Sequence, residues 1–165
     1  MVVQFARHSD KPPTLTCIRD DGSVTWFRAG HNGEFFVAHD LLHYAVETTL
    51  GFSTAFYGMI AAGRDLNDFG SQDGRPDERQ YSEEALQAEQ LVGLIQVLFP
   101  PGAEVEFSLF ENACRTNAIG DHAISADLLS SIHGEWLRLL DVWRNTPTQA
   151  SLSLEYPRDK LGHSE

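Results

Sequence analysis

Positive charge is scarce in this chain: Lys and Arg number 12 against 24 Asp and Glu, a formal net charge of -12. Such a field repels phosphate backbones and anionic headgroups, which argues against nucleic-acid and membrane partners. Long apolar runs are missing too. No stretch has the length of a membrane span, and Met1 to Arg7 lacks the apolar core of a signal peptide, so the expected compartment is the cytoplasm. Cysteine is down to two, Cys17 and Cys114, in unrelated contexts and without CxxC spacing. A disulfide framework is therefore not expected, and both read as reduced structural thiols. What remains is an ordinary globular mixture, 42% hydrophobic and 22% charged over 165 residues, which suits one domain, 1–165, with a proper core.

Turn chemistry marks the first elements. Thr14 to Arg19 and Val24 to Arg28 are β-prone runs flanking Asp20-Asp21-Gly22-Ser23, and an Asp-Gly pair so placed is a strong hairpin signal. With Asp21-Gly22 as a two-residue loop, Cys17 faces Trp26 and Leu15 faces Arg28. Leu15, Cys17, Val24 and Trp26 then share the buried face. Ahead of the hairpin, Lys11-Pro12-Pro13 forbids a helix. Phe52 to Ala62 reads as a short apolar helix, and Gly51, Ala55, Gly58 and Ala62 form a small-residue packing ridge.

Arg64 to Gln80 is polar, broken by Gly and Pro, and long for a loop, a length typical of lids and mobile segments. Ser82 is a candidate N-cap, with Glu83 and Glu84 in the first turn. The helix it starts runs to about Phe99 with Ala88, Leu91, Ile95 and Leu98 on its core face, and Pro100-Pro101-Gly102 stops it. Glu104 to Phe110 alternates, which predicts a strand with a short helix as the alternative; Glu111 to Ser125 is expected to be irregular. A further helix, Ala126 to Arg144, carries Leu129, Ile132, Trp136, Leu139, Leu140 and Trp143 along one face, with His133 expected near the surface. Ser151 to Tyr156 alternates as a closing strand, and the residues after Pro157 are expected to be a loose tail. The expected fold is α+β: a small, mainly antiparallel sheet of N-terminal hairpin and C-terminal strand, packed against about four helices.

Chemistry concentrates in one stretch, Phe35 to Glu47, which reads as a helix apolar almost all the way round. At about 100° per residue, with His39 at zero, His43 falls near 40°, Glu47 near 80° and Asp40 near 100°. So narrow a polar stripe implies a helix sunk in the protein, its stripe facing a pocket. Buried charge there needs pairing or a metal. Histidines four apart stack over one another and can converge on one ion, as in the HExxH zinc motif, with Asp40 standing where that motif has glutamate. His39 and Glu47 are about 12 Å apart along the axis, too far for one ion to be held by both. Two solutions remain: His39 with His43 and a ligand from elsewhere, or His43 with Glu47 and Asp40. Glu84, Asp65 and Asp68 are candidates for a missing oxygen. Without metal, the same groups would make a hydrogen-bonded network serving proton transfer or structure alone.

His39-Asp40-Leu41-Leu42-His43 resembles the His-Asp-x-x-His zinc motif of the Coq4-type ubiquinone-biosynthesis proteins. The resemblance implies zinc held by His39 and His43 in a mainly helical protein. Where that family places a further glutamate this chain has Ala55, and its nearest glutamate is Glu47. Ala38-His39-Asp40 is also similar to the His-Asp doublet of HD-domain phosphohydrolases, all-helical proteins with another histidine ligand upstream; here His8 and His31 precede the doublet. The chain as a whole resembles a bacterial family without an assigned activity. The expectation is a metal-dependent hydrolase or lyase of a small molecule, using zinc or iron. Its candidate ligands are His39, His43 and Glu47 in one or other of those two sets, with Glu47 the tighter partner of His43, and Asp40, nearer the mouth, is the proton acceptor. The rival is a non-catalytic ligand-binding or assembly module, and a homo-oligomer is compatible with either.

Overall fold

A computed structural model of the protein describes residues 1–69, 81–116 and 124–157. Its elements run β1 (Val2–Ala6), β2 (Thr14–Ile18), β3 (Val24–Arg28), α1 (Gly33–Leu50), α2 (Phe56–Ala61), a 3-10 turn (Leu66–Phe69), α3 (Glu83–Leu98), α4 (Phe107–Thr116), α5 (Ala126–Asn145) and β4 (Ser151–Glu155). This is the α+β fold expected, with, among the described residues, five helices beside one antiparallel sheet of order β3-β2-β1-β4. Most of the long loop after Arg64, the centre of the segment expected to be irregular, and the C-terminal tail lie outside the described residues. No described helix is long and apolar enough to cross a membrane, and both cysteines are free.

Strand β1, not anticipated from the sequence, lies between β2 and β4. Val3 and Phe5 point inward there, paired with Cys17 and Leu15 on one side and with Leu154 and Leu152 on the other. The hairpin register differs from the expected one by a single residue: Cys17 faces Thr25, and Leu15 faces Phe27. The loop holds three residues, Asp20-Asp21-Gly22. Gly22 donates its N–H to Arg19 at a φ of +84°, and Arg19 in turn donates to Ser23. This is a turn closed by a left-handed glycine, the common three-residue hairpin. A slip of one residue turns every side chain over, so Thr25 is buried while Val24 and Trp26, expected inside, are each 53% exposed.

Glu104 to Phe110 is not a strand. Helix α4 begins within it at Phe107, and Phe107, Phe110 and Cys114 supply an apolar edge at helical spacing. His133 is likewise not at the surface. It is buried, and its Nε2–H donates to the Phe99 carbonyl at 2.9 Å, closing the C-terminal end of α3. In the small-residue ridge Gly58 has a specific role, because a Cβ there would meet the Ser53 carbonyl.

Helix α1 is the axis of the core, with α3 and α5 packed against it. Trp136 Nε1 donates to Ala38 O at 2.8 Å, and Tyr44 Oη donates to Glu155 O at 2.7 Å, tying α1 to α5 and β4. From Asp40 to Glu47 every residue is buried. Leu41 and Leu42 are fully so, and Leu41→Ala or Leu42→Ala is expected to cost roughly 2–5 kcal/mol. Urea midpoints that barely move would contradict this packing.

Candidate functional site

Helix α1 ends on Gly51, left-handed at a φ of +69°, whose N–H and that of Phe52 both return to the Glu47 carbonyl. The chain folds back from this cap, and α2 brings the Tyr57 N–H to Glu47 Oε2 at 2.9 Å. The Tyr156 hydroxyl reaches the same oxygen at 3.2 Å. Glu47 is completely buried and sits behind His43, its Oε1 3.5 Å from Nδ1. The opposite ring nitrogen, Nε2, lies 3.5 Å from Oε1 of Glu89 on α3. His43 is therefore held between two carboxylates, one buried and one with an exposed side chain.

His39 stands one turn earlier, its ring 4.9 Å from that of His43 and nearly perpendicular to it. Nδ1 lies 3.1 Å from Gln96 Oε1 on α3. An amide oxygen only accepts, so this contact makes Nδ1 the protonated nitrogen and leaves the Nε2 lone pair free. One donor atom each from His39, His43 and Glu89 all lie within 4.8 Å of one another. Asp40 lines the same cleft, of about 220 Å³, as these three residues. Its side chain is buried, and among the described residues nothing hydrogen-bonds its Oδ2.

The electrostatics follow from burial and pairing. Burial would push His43 down, but Glu47 and Glu89 outweigh it and raise the imidazole to about 9. Burial raises Glu47, the attraction of His43 notwithstanding, while Glu89 is lowered chiefly by His43. Asp40 is pushed up to about 7 by burial, against the pull of His43 and with the repulsion of Glu89 and Glu47. Burial and the neighbouring His43 both lower His39.

Of the residues singled out in the sequence, the structure brings His39, Asp40 and His43 to one cleft and sets Glu47 behind His43. Asp40 is buried where a position nearer the mouth was expected; the exposed carboxylate is Glu89. The three candidate extra ligands are engaged elsewhere. Glu84 Oε2 accepts the N–H groups of Ser53 and Thr54, at 2.7 and 2.6 Å, together with the Thr54 hydroxyl. Asp65 accepts from Asn67, and Asp68 accepts the Asp65 N–H, both within the exposed start of the 3-10 turn. Sequence reasoning missed Glu89 and Gln96. They sit one heptad apart on α3 beside the apolar positions Ala85, Ala88, Val92 and Ile95, and so meet His43 and His39 from one side of the helix. That polar pair at the edge of an apolar stripe was the available signal. Comparison with protein-family models, curated proteins and solved structures returns no match.

Proposed function

We propose that His39, His43 and Glu89 bind one divalent ion, zinc or iron, and that the chain is a metal-dependent hydrolase or lyase of a small molecule. The observation that carries this reading is the convergence of three donor side chains beside a buried aspartate with an unpartnered oxygen. Two imidazoles and one carboxylate are a donor set of catalytic zinc and of non-haem iron, both of which leave positions for water and substrate. Glu47 at His43 Nδ1 and Gln96 at His39 Nδ1 are the outer partners such ligands need to fix tautomer and orientation. Bonds of about 2.1 Å put tetrahedral ligands roughly 3.4 Å apart, so the trio closes inward on binding, with the exposed Glu89 free to move most.

When bound, the ion would polarise a substrate oxygen and bring the pKa of water toward 7. Asp40, buried in the same cleft with an unpartnered oxygen, would then be the residue placed to accept a proton. A second reading, a non-catalytic ligand-binding or assembly module, draws on the position of His43 between Glu47 and Glu89, which a proton alone would satisfy. Elemental analysis separates the two. Protein from zinc- or iron-supplemented medium, purified without a nickel column, is expected to hold about one ion per chain, and Glu89→Gln to lose most of it. Wild type free of metal after supplementation would leave the network reading standing.

A further inference from the structure

The walls of the cleft carry information about what enters it. Phe56 packs on the His43 ring at 5.5 Å and on Phe69 at 4.9 Å, so an aromatic wall starts at the candidate ligand itself. Phe27 and Phe36, in contact at 5.2 Å, also line the cleft. All four rings are only partly buried, which leaves part of each accessible. Among the described residues, no Lys or Arg lines the space; its charged groups are Asp40, Glu89 and the histidines. An apolar cavity of about 150 Å³ accommodates benzene. The 220 Å³ here thus has room for one ring and a small substituent.

From these walls, this charge and this volume we infer that the site takes a small neutral molecule with a single aromatic ring or an equivalent apolar body. One oxygen-bearing group of that molecule would turn toward His39, His43 and Glu89. Phosphate esters and carboxylates are selected against, because Glu89 and Asp40 offset the charge of the ion and, among the described residues, no Lys or Arg lines the cleft to meet more. The inference rests on the metal reading given above. It adds a requirement that reading does not make, namely that the rings contribute to binding.

The test uses the full chain loaded with one equivalent of zinc and three probes followed by calorimetry: benzohydroxamic acid, acetohydroxamic acid and inorganic phosphate. The two hydroxamic acids offer the same metal-binding group, with and without a ring. Benzohydroxamic acid is expected to bind at least about tenfold more tightly than acetohydroxamic acid, since burying a ring against apolar walls is worth more than the 1.4 kcal/mol that tenfold represents. Phosphate is expected to give no binding. Phe56→Ala should bring the two hydroxamic acids to within about threefold of each other, and Phe36→Ala serves if that variant fails to fold. Equal affinities in wild type, tighter binding of phosphate, or a ring preference untouched by both variants would overturn the inference while leaving the metal reading intact. Failure to take up zinc at all would overturn that reading, and the inference with it.

Discussion

His43→Ala is expected to lower zinc affinity by at least about a hundredfold, the largest effect of any single substitution at the site. The expectation follows from the position of this residue. His39 donates from the N-terminal side of the stripe and Glu89 from the neighbouring helix, and His43 lies within reach of both. Removing it leaves two donors and a buried carboxylate, Glu47, with no cation to face. Glu47→Gln tests the layer behind. It keeps the shape but removes the negative charge that lies 3.5 Å behind Nδ1, and a change of this kind typically costs 10–100-fold in affinity. Competition against a chromophoric zinc chelator measures both. If His43→Ala binds zinc as tightly as wild type, the ion is held elsewhere; if Glu47→Gln costs more than His43→Ala, Glu47 is itself a ligand.

The order of those two effects bears on what the sequence could say. A helical wheel placed His39, Asp40, His43 and Glu47 on one stripe of a buried helix, and α1 is that helix, buried without a break from Asp40 to Glu47. A wheel gives angles and not depth. Glu47 and Asp40 are only about 20° apart on it, yet α2 folds back over Glu47 while the cleft opens beside Asp40. What separates them is the cap at Gly51 and the reversal it starts, which is tertiary information. Glu89 was out of reach for a related reason. A carboxylate on a helix surface means little until the partner helix is known, and only the antiparallel pairing of α3 with α1 sets Glu89 against His43 and Gln96 against His39.

The fold shows the same division. Helices α3 and α5 were legible almost to the residue, because long apolar faces mark both and the Ser82 cap agrees with the first; the Ser125 cap of α5 is seen only in the structure. The hairpin was legible as a hairpin but not in its register. Asp-Gly fits both a two-residue loop and a three-residue loop whose last position is left-handed, and the choice moves Trp26 from the core to solvent. Strand β1 carries only five residues at the very start of the chain. Its inward pair, Val3 and Phe5, becomes meaningful once β4 arrives from the far end to flank it.

The same site makes stability fall as pH rises when metal is absent and removes that fall when metal is bound. In the metal-free protein His43 is raised to about 9, above its ordinary value of 6.5. A raised folded value contributes stability that is fully present below pH 6.5 and is lost as pH rises through 9, a loss on the order of 3 kcal/mol. Asp40, raised from 3.8 to about 7, is lost in the same direction but earlier. His39, lowered by burial and by His43, acts only below 6.5 and in the opposite sense. The Cys17 thiol, which burial pushes up to about 12, adds a further loss only from about pH 9 upward. Between pH 7.5 and 9 the metal-free protein should therefore weaken steadily, chiefly through His43. A bound zinc ion takes the place of the His43 proton, so in that window neither the folded nor the unfolded form has that proton to lose, and the decline should vanish in excess zinc. Urea midpoints at half-unit pH steps, with chelator and with excess zinc, measure both curves. A metal-free protein flat from pH 7.5 to 9 would mean that the two carboxylates do not hold His43 charged, and identical slopes with and without zinc would mean that the ion does not bind where that proton sits.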